Sequence, residues 1–386
     1  MKKKIIRITT VPQSLGGLLK GQLKFMSQYY EIIGISSDGN GTLAHVGEQE
    51  GISVIPVEMT RKITPLADLK AVYQLYKIFK KEKPAIVHTH TPKAGTLGMF
   101  AAFLARVPHR FHTIAGLPLL EAKGSKRKVL DTVEKFTYAC ATMIYPNSFG
   151  LNDIIISNGY TSAKKLKVLG NGSSNGIDTT IFDPDLFNEQ SKKELKLQWG
   201  IQPDDFVFIF LGRLVRDKGI EELISAFKNL SKESPKLKLL LVGTYEKELD
   251  PLQLETETEI KTNTNIIFTD WQKDVRPFFS ISNVLAFPSY REGFPNVVLQ
   301  AAAMGIPSIV TNINGCNEII TSGNNGVLVP PKDTKALQNA MDYVYKSNVN
   351  SPFNTPKAIR NEIKSKYSNT TVWSNLLTEY RSKETV

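Results

Sequence analysis

The feature that most constrains this chain is an alternation of strand-length apolar runs with helical periodicity, which occurs twice. In the first half, Ile5–Thr10, Glu31–Ser36, Ile52–Val57, Ala85–His90 and Arg110–Ala115 read as short strands. Between them Leu18–Tyr29, Leu66–Lys81 and Ala94–Arg106 place apolar residues at helical spacing. Thr142–Pro146 and Leu166–Leu169 continue the alternation as strands, until the turn residues of Gly170–Gly176 break it. It restarts with the continuous, buried-type strand Phe206–Leu211, the helix Ile220–Leu230 and the strand Leu237–Val242. Asn265–Phe268, Val284–Phe287, the helix Asn296–Met304 and the strand Ile306–Val310 follow. Repeated strand–helix–strand units imply parallel sheets, and two sets imply an α/β chain of two Rossmann-like domains. A length of 386 residues, too great for one ordinary core, agrees. The predicted domains are 1–185 and 186–367, with the polar stretch Asp183–Gln202 as linker. A last helix, 368–386, is expected to return to the first domain, anchored by Trp373 and Tyr380. Ligands of such sheets bind at strand C-termini, so the expected site lies in the cleft between the domains.

Composition removes several classes. No run approaches the roughly 18 apolar residues needed to span a bilayer. Lys2-Lys3-Lys4 followed by Ile5 and Ile6 has the look of a signal peptide, but Arg7 and Pro12 interrupt it and favour a first strand. Two distant cysteines, Cys140 and Cys316, leave no disulfide framework and no Cys-rich metal site, which fits a reducing cytoplasm and a soluble protein. The net charge of +11 is uneven: residues 1–190 hold 24 Lys/Arg against 15 Asp/Glu, a net +9. Such a basic half is either a solvated lysine-rich surface or one that meets an anionic membrane face or a phosphorylated acceptor. Nucleic acid is not expected, because the basic residues are scattered and show no zinc-finger spacing, RNP signature or basic arm.

Two segments carry chemistry. Gly212-Arg213-Leu214-Val215-Arg216-Asp217-Lys218-Gly219 joins a strand end to a helix start, a natural place for an anion. Arg213 offers a planar donor fork and Lys218 a mobile point charge, together suited to a diphosphate. Pro288-Ser289-Tyr290-Arg291-Glu292-Gly293-Phe294-Pro295-Asn296 leads from another strand into a helix whose second turn holds Gln300. Pro295 suits the first turn, Gly293 lets a ligand approach the backbone, and Glu292 and Gln300 can flank one polyhydroxy ligand.

With these residues on the page, the chain resembles glycosyltransferase family 4, retaining enzymes of the GT-B fold, and most nearly the bacterial capsular-polysaccharide and lipopolysaccharide glycosyltransferases. The resemblance runs from Ser14-Leu15-Gly16-Gly17 through Val87–Gly95 and Asn175-Gly176-Ile177-Asp178 to Gly305-Ile306-Pro307. It implies a C-terminal domain that binds a nucleotide-sugar and an N-terminal domain that receives the acceptor. Arg213 and Lys218 are then expected to hold the diphosphate, with Gly16 and Gly17 letting a loop approach it. Glu292, the first carboxylate of a Glu-x7-Glu motif, is expected to contact the transferred sugar, flanked by Gly293, Phe294, Pro295 and Asn296. Two positions depart from the family. Gln300 replaces the second, ribose-binding carboxylate, and an amide has one acceptor oxygen and one donor nitrogen. Ala115 stands where the family commonly has a His, and His112, three residues away on a strand, points to the opposite face.

His88 and His90 share one face of a strand without a third ligand nearby, so acceptor contact or packing is expected rather than a metal. Lys93, just past that strand, is a candidate for an acceptor phosphate, and Asp183-Pro184-Asp185 reads as a turn, not a metal motif. The function expected is transfer of a hexose or N-acetylhexosamine from a nucleotide diphosphate sugar, UDP-linked, to a polyprenyl-diphosphate-linked glycan. No metal or other cofactor is expected, and the place of action is the inner face of the cytoplasmic membrane. Lys123, Lys126, Arg127 and Lys128, beside Leu117, Leu119 and Leu120, are the expected membrane contacts. The alternatives are a nucleotide-sugar epimerase and a non-catalytic sugar-nucleotide-binding partner.

Overall fold

The computed structural model describes the chain except residues 1, 61, 63, 118, 120, 121, 247, 249, 348–352, 385 and 386. It forms two compact units, one of Met1–Gly176 with Asn369–Val386 and one of Ile177–Ser368.

In the first unit the order is β1 (Lys4–Ile8), α1 (Pro12–Leu18), α2 (Gln22–Ser27), β2 (Glu31–Ser36), α3 (Thr42–Glu50), β3 (Ser53–Pro56), α4 (Pro65–Glu82), β4 (Ile86–Thr89), α5 (Pro92–Leu104), β5 (His109–Ile114), α6 (Gly124–Cys140), β6 (Met143–Pro146) and α7 (Phe149–Ser157). The second unit runs α8 (Glu189–Gln198), β7 (Phe206–Leu211), α9 (Ile220–Glu233), β8 (Leu237–Val242), α10 (Leu254–Thr262), β9 (Ile266–Phe268), α11 (Arg276–Ser280), β10 (Val284–Phe287), α12 (Asn296–Ala303), β11 (Ser308–Thr311), α13 (Cys316–Ile319), β12 (Gly326–Val329), α14 (Thr334–Lys346) and α15 (Pro356–Tyr367). Helix α16 (Asn369–Ser382) then packs on the first unit.

Among the described residues each unit has a six-stranded sheet, ordered β3-β2-β1-β4-β5-β6 and β12-β11-β10-β7-β8-β9. Every pairing between these strands is parallel, as an alternating βα chain requires. The central strands are buried on both faces: Val207, Phe208, Ile209 and Phe210 of β7 are all sealed from solvent. In each sheet the strand order reverses once, between β1 and β4 in the first and between β7 and β10 in the second. Neighbouring loops diverge at such a point and leave room for a ligand outside the strand C-termini.

Four expectations about elements are corrected. The helix expected over Leu18–Tyr29 starts only at Gln22, as α2, because α1 ends at Leu18 and Gly21 takes φ +75°. Its N–H is held by the buried Glu50 carboxylate at 2.7 Å, and that carboxylate also accepts from the Lys24 N–H at 3.1 Å. A remote side chain thus serves the new helix start. Leu166–Leu169 forms no strand; only Leu166 bridges to Ile144. The last expected strand starts later, at Ser308, after Pro307. Asp183–Gln202 is not a linker, because Phe182, Phe187, Leu195 and Trp199 pack on the core of the second unit. Arg360 fastens its start, donating to the Thr179 carbonyl at 2.7 Å and pairing with Asp183 at 2.6 Å. The chain enters the second unit at Ile177, earlier than the boundary expected after residue 185. Asp183-Pro184-Asp185 is a tight turn, with the Asp183 carboxylate accepting from the Asp185 N–H at 3.1 Å.

Candidate active site

The second unit's site is built at its switch point. Adjacent parallel strands β10 and β7 deliver their following loops to the same edge of the sheet. These loops are the two segments singled out by sequence. After β7 the chain passes Arg213, makes a 3-10 turn at Arg216–Lys218 and enters α9 through Gly219. Gly219 has φ +70°, and a Cβ there would lie 2.1 Å from the Pro288 carbonyl oxygen. Only glycine permits both that conformation and that approach. The Tyr290 N–H donates to the Asp217 carbonyl at 2.9 Å, and the Arg291 guanidinium pairs with the Asp217 carboxylate at 2.8 Å. Two loops from distant sequence are therefore stitched into one surface.

On that surface Lys218 forms an ion pair with Glu292, both side chains mostly shielded from water. Glu292 also accepts from the Ser289 hydroxyl at 2.9 Å, while the Asn314 amide donates to the Glu292 carbonyl at 2.5 Å. Gly315, at φ +76°, brings the loop after β11 against Gly293, whose carbonyl would be 2.4 Å from an added Cβ. The carboxylate expected to face a sugar is thus held by Lys218 and Ser289, and its backbone by Asn314. Arg213 is half exposed and pairs with Glu246 from the loop after β8. Helix α9 carries Glu221 and Glu222 in its first turn, and Glu222 accepts from the Tyr290 hydroxyl at 2.5 Å. Arg213 and Lys218 thus bring positive charge to a rim where Glu221 and Glu222 set negative charge at the helix start.

Glu292 precedes the buried Gly293, Phe294 and Pro295. Phe294 packs on Tyr367 with ring centroids 5.3 Å apart, and Pro295 caps α12 instead of lying in its first turn. Asn296 is exposed at the helix start. Gln300 is partly buried, and its ε-oxygen is sealed from solvent without a hydrogen-bond partner. Leaving such an acceptor unmatched costs about 1–3 kcal/mol. Sequence reasoning missed Glu246, Ser289 and Asn314. The Asn314-Gly315 pair after a strand is the one local signal among them, since Glu246 and Ser289 take their roles only through tertiary contact.

The first unit's candidates flank its own switch point. The loops after β1 and β4 are tied by Thr10 and Thr91, whose hydroxyls are 2.7 Å apart. Gly16 and Gly17 do not form a loop; they lie in helix α1, with Gly16 against Val46 and Gly17 facing open space. His90 is buried, accepting from Arg7 Nε at 3.0 Å, and its ring lies 4.2 Å from that of His88. His88 itself is bonded to Tyr380 of α16 at 2.6 Å and Thr113 at 2.7 Å. Burial, followed by neighbouring charge that includes Arg7, holds both imidazoles well below the usual range. Burial likewise lowers His112 to about 4, its ring bonded to the Thr89 hydroxyl at 2.8 Å. Lys93 is not a free cation, for it pairs with Asp68 at 2.5 Å. Ala115 is exposed just past β5. Among the described residues no group of three or more His, Cys, Asp or Glu side chains is placed to hold a metal ion. Both cysteines are buried and unbridged.

The expected membrane segment is corrected. Leu117 and Leu119 are buried in the first unit's core, Leu120 lies outside the described residues, and Arg127 is drawn onto Asp131 at 2.7 Å.

Two doubly wound parallel units, one carrying an Arg–Lys–Glu constellation at its switch point, define a glycosyltransferase of the GT-B class. The chain belongs to glycosyltransferase family 4. Residues 191–366 match the family described as Glycosyl transferases group 1, and residues 19–148 match that described as Glycosyl transferase 4-like. A capsular polysaccharide biosynthesis glycosyltransferase of Staphylococcus aureus is 34% identical over 98% of this chain and 97% of its own. An Escherichia coli UDP-Gal:alpha-D-GlcNAc-diphosphoundecaprenol alpha-1,3-galactosyltransferase is 32% identical over 73% of this chain and 72% of its own. The crystal structure of Anabaena HepE in complex with UDP superimposes with a TM-score of 0.79 at 20% identity, covering 99% of this chain and 100% of that one. That last likeness concerns the fold.

Proposed function

We propose that this glycosyltransferase moves a hexose or N-acetylhexosamine from a UDP-sugar to a polyprenyl-diphosphate-linked glycan in surface-polysaccharide assembly. Transfer retains the anomeric configuration, needs no metal, and takes place at the inner face of the cytoplasmic membrane. The observation that carries this reading is the stitching of the Arg213–Lys218 loop to the Glu292 turn through Gly219 and Pro288. It sets two cations and one oriented carboxylate on the same rim. The names of the Staphylococcus aureus and Escherichia coli relatives, which state a capsular pathway, a UDP-sugar and a diphosphoundecaprenol acceptor, support the finer parts.

The hard step is departure of the nucleoside diphosphate, on which negative charge grows. Arg213 and Lys218 stabilise that charge from fixed positions, which is worth more than mobile solvent because no reorganisation is needed as the bond breaks. In taking the diphosphate, the two cations exchange the carboxylates of Glu246 and Glu292 for phosphate oxygens. Glu292 stays in place through Ser289 and then meets the sugar hydroxyls. The unmatched ε-oxygen of Gln300 accepts from a ribose hydroxyl, recovering its desolvation cost. The acceptor hydroxyl attacks from the face the diphosphate leaves and passes its proton to the departing phosphate.

Incubation with a panel of UDP-sugars and a polyprenyl-diphosphate-linked acceptor tests the reading. One donor should yield a lipid product one sugar larger together with free UDP. Isomerised donor without transfer, or no product from any donor, would reject it.

A further inference from the structure

At the end of the first unit's sheet opposite its switch point lies a basic trough. Residues at or just before the strand starts line it: Lys4 opens β1, Glu31 opens β2, Ala85 precedes β4 and Pro108 precedes β5. The hollow measures about 870 Å³. Past Lys3, Ala85 and Pro108, which line both, it continues into a smaller hollow of about 200 Å³ that reaches Lys383 and Glu384.

Among the described residues, Lys2, Lys3, Lys4, Lys80, Lys83 and Arg106 line the larger hollow against one carboxylate, Glu31. Lys4 is neutralised by Glu82 at 2.6 Å and Glu31 at 3.2 Å, whereas Lys3 reaches Glu384 only at 3.8 Å. Lys2 donates to the Ser27 carbonyl at 2.7 Å. Lys80, Lys83 and Arg106 are exposed and, among the described residues, pair with no carboxylate. The ends of α4 and α5 contribute about half a negative charge each, too little to offset these cations. Two of the unpaired cations sit in a costly backbone. Lys83 closes α4 at φ +45°, and Arg106 stands just past α5 at φ +59°. Glycine is the usual residue there, because a side chain is strained in that region. Stabilising the end of α4 does not require it, since Lys80 and Lys81 already lie in its last turn. Both strained positions instead carry a long cation, and both cations line the same hollow.

We propose that this trough docks an acidic, extended peptide segment of a partner protein. Its shape and lining select that occupant. A bilayer calls for protruding apolar side chains, yet Phe79, Val107 and Tyr30, the bulky apolar residues of the lining, are buried. Single-stranded nucleic acid calls for exposed rings on which bases stack, and the same burial withholds them. Carboxylates spaced along an extended chain need only cations spaced along a channel, and such complementarity sets partner choice and register. The trough shares no residue with the loops that hold Arg213, Lys218 and Glu292, so this docking is a function additional to transfer.

Fluorescence anisotropy of the full chain with fluorescein-labelled deca-glutamate tests it, with labelled deca-glutamine as the neutral probe. The acidic peptide should bind, more weakly as salt rises, and the neutral one should not. Lys83→Gly with Arg106→Gly removes two cations while relaxing the backbone. It should weaken binding about fivefold, the scale of two exposed ion pairs, without lowering the thermal midpoint. Lys2→Ser with Lys3→Ser should weaken binding to a similar degree. Lys126→Ser with Lys128→Ser, which removes exposed cations elsewhere on the same unit, should leave it unchanged. No binding of deca-glutamate at low salt, equal binding of deca-glutamine, or undiminished binding in both trough variants would overturn the proposal. Equal weakening in the Lys126 and Lys128 variant would do so as well, by reducing the effect to net charge. Tighter binding of labelled oligothymidylate, or full displacement of the peptide by phosphatidylglycerol vesicles, would also overturn it and give the trough to nucleic acid or to a bilayer.

Discussion

Replacing Gly219 with alanine probes the contact on which the site depends. Two costs follow from the structure. The backbone holds φ +70°, where a side chain costs about 1–2 kcal/mol. The new Cβ would also stand 2.1 Å from the Pro288 carbonyl oxygen, against 3.4 Å for the closest ordinary contact, so the loops must part by 1.3 Å. Pro288 begins the segment that carries Glu292, so this displacement separates Lys218 from the Glu292 carboxylate. A misplacement of about 1 Å at reacting groups can cost on the order of a hundredfold in rate. Gly323→Ala supplies the control, because Gly323 has φ +84° with nothing within 4 Å of an added Cβ. In urea titrations Gly323→Ala should lose only the cost of its backbone conformation and Gly219→Ala more, while only Gly219→Ala should lose roughly a hundredfold in kcat/KM for the donor. A folded Gly219→Ala enzyme turning over within a few-fold of wild type would refute the view that this approach sets the site.

Arg213→Ala and Lys218→Ala should each lower turnover at least about tenfold while thermal midpoints hold, as loss of a charge-assisted contact of roughly 1.5–3 kcal/mol requires. In calorimetry, Gln300→Ala should weaken UDP binding and Gln300→Glu should retain it; unchanged affinity in the alanine variant would remove Gln300 from the ribose. Stability should fall on acidification, because burial keeps His112 neutral down to about 4 in the folded chain while the unfolded ring takes a proton near its ordinary value of about 6.5. The unfolded state thus binds more protons between those values, costing up to about 1.4 kcal/mol per pH unit there, and His112→Asn should flatten the slope of thermal midpoint against pH.

Much of the scaffold was legible because it rests on local pattern. Glu31–Ser36, Phe206–Leu211, Leu237–Val242 and Val284–Phe287 form strands with the bounds read from their apolar runs, since a parallel strand buried on both faces must be apolar throughout. Elements held by remote contacts were not legible. The break at Gly21 depends on Glu50 and on Trp373, whose ring lies 2.8 Å from where a Cβ would be. Helix α6 escaped notice because its apolar positions serve two purposes, Tyr138 and Cys140 turning inward while Val129, Val133 and Phe136 face solvent. The same division defeated the expected membrane segment. Apolar residues near lysines were readable, but which of them the core would claim was not, and Leu117 and Leu119 went inside. In the site, Arg213, Lys218 and Glu292 stood out through their places at strand ends. Their counterion and supports, Glu246, Ser289 and Asn314, come from separate segments and meet only in the folded sheet.

The most direct test of the central claim is nuclear magnetic resonance of the product formed in EDTA from the UDP-sugar that the donor panel selects. If Arg213 and Lys218 carry the leaving group's charge and the acceptor attacks from the face it leaves, transfer proceeds at an undiminished rate without metal. The new linkage then keeps the donor's anomeric configuration. An inverted linkage, or activity abolished by EDTA and restored by Mg²⁺ or Mn²⁺, would contradict the account.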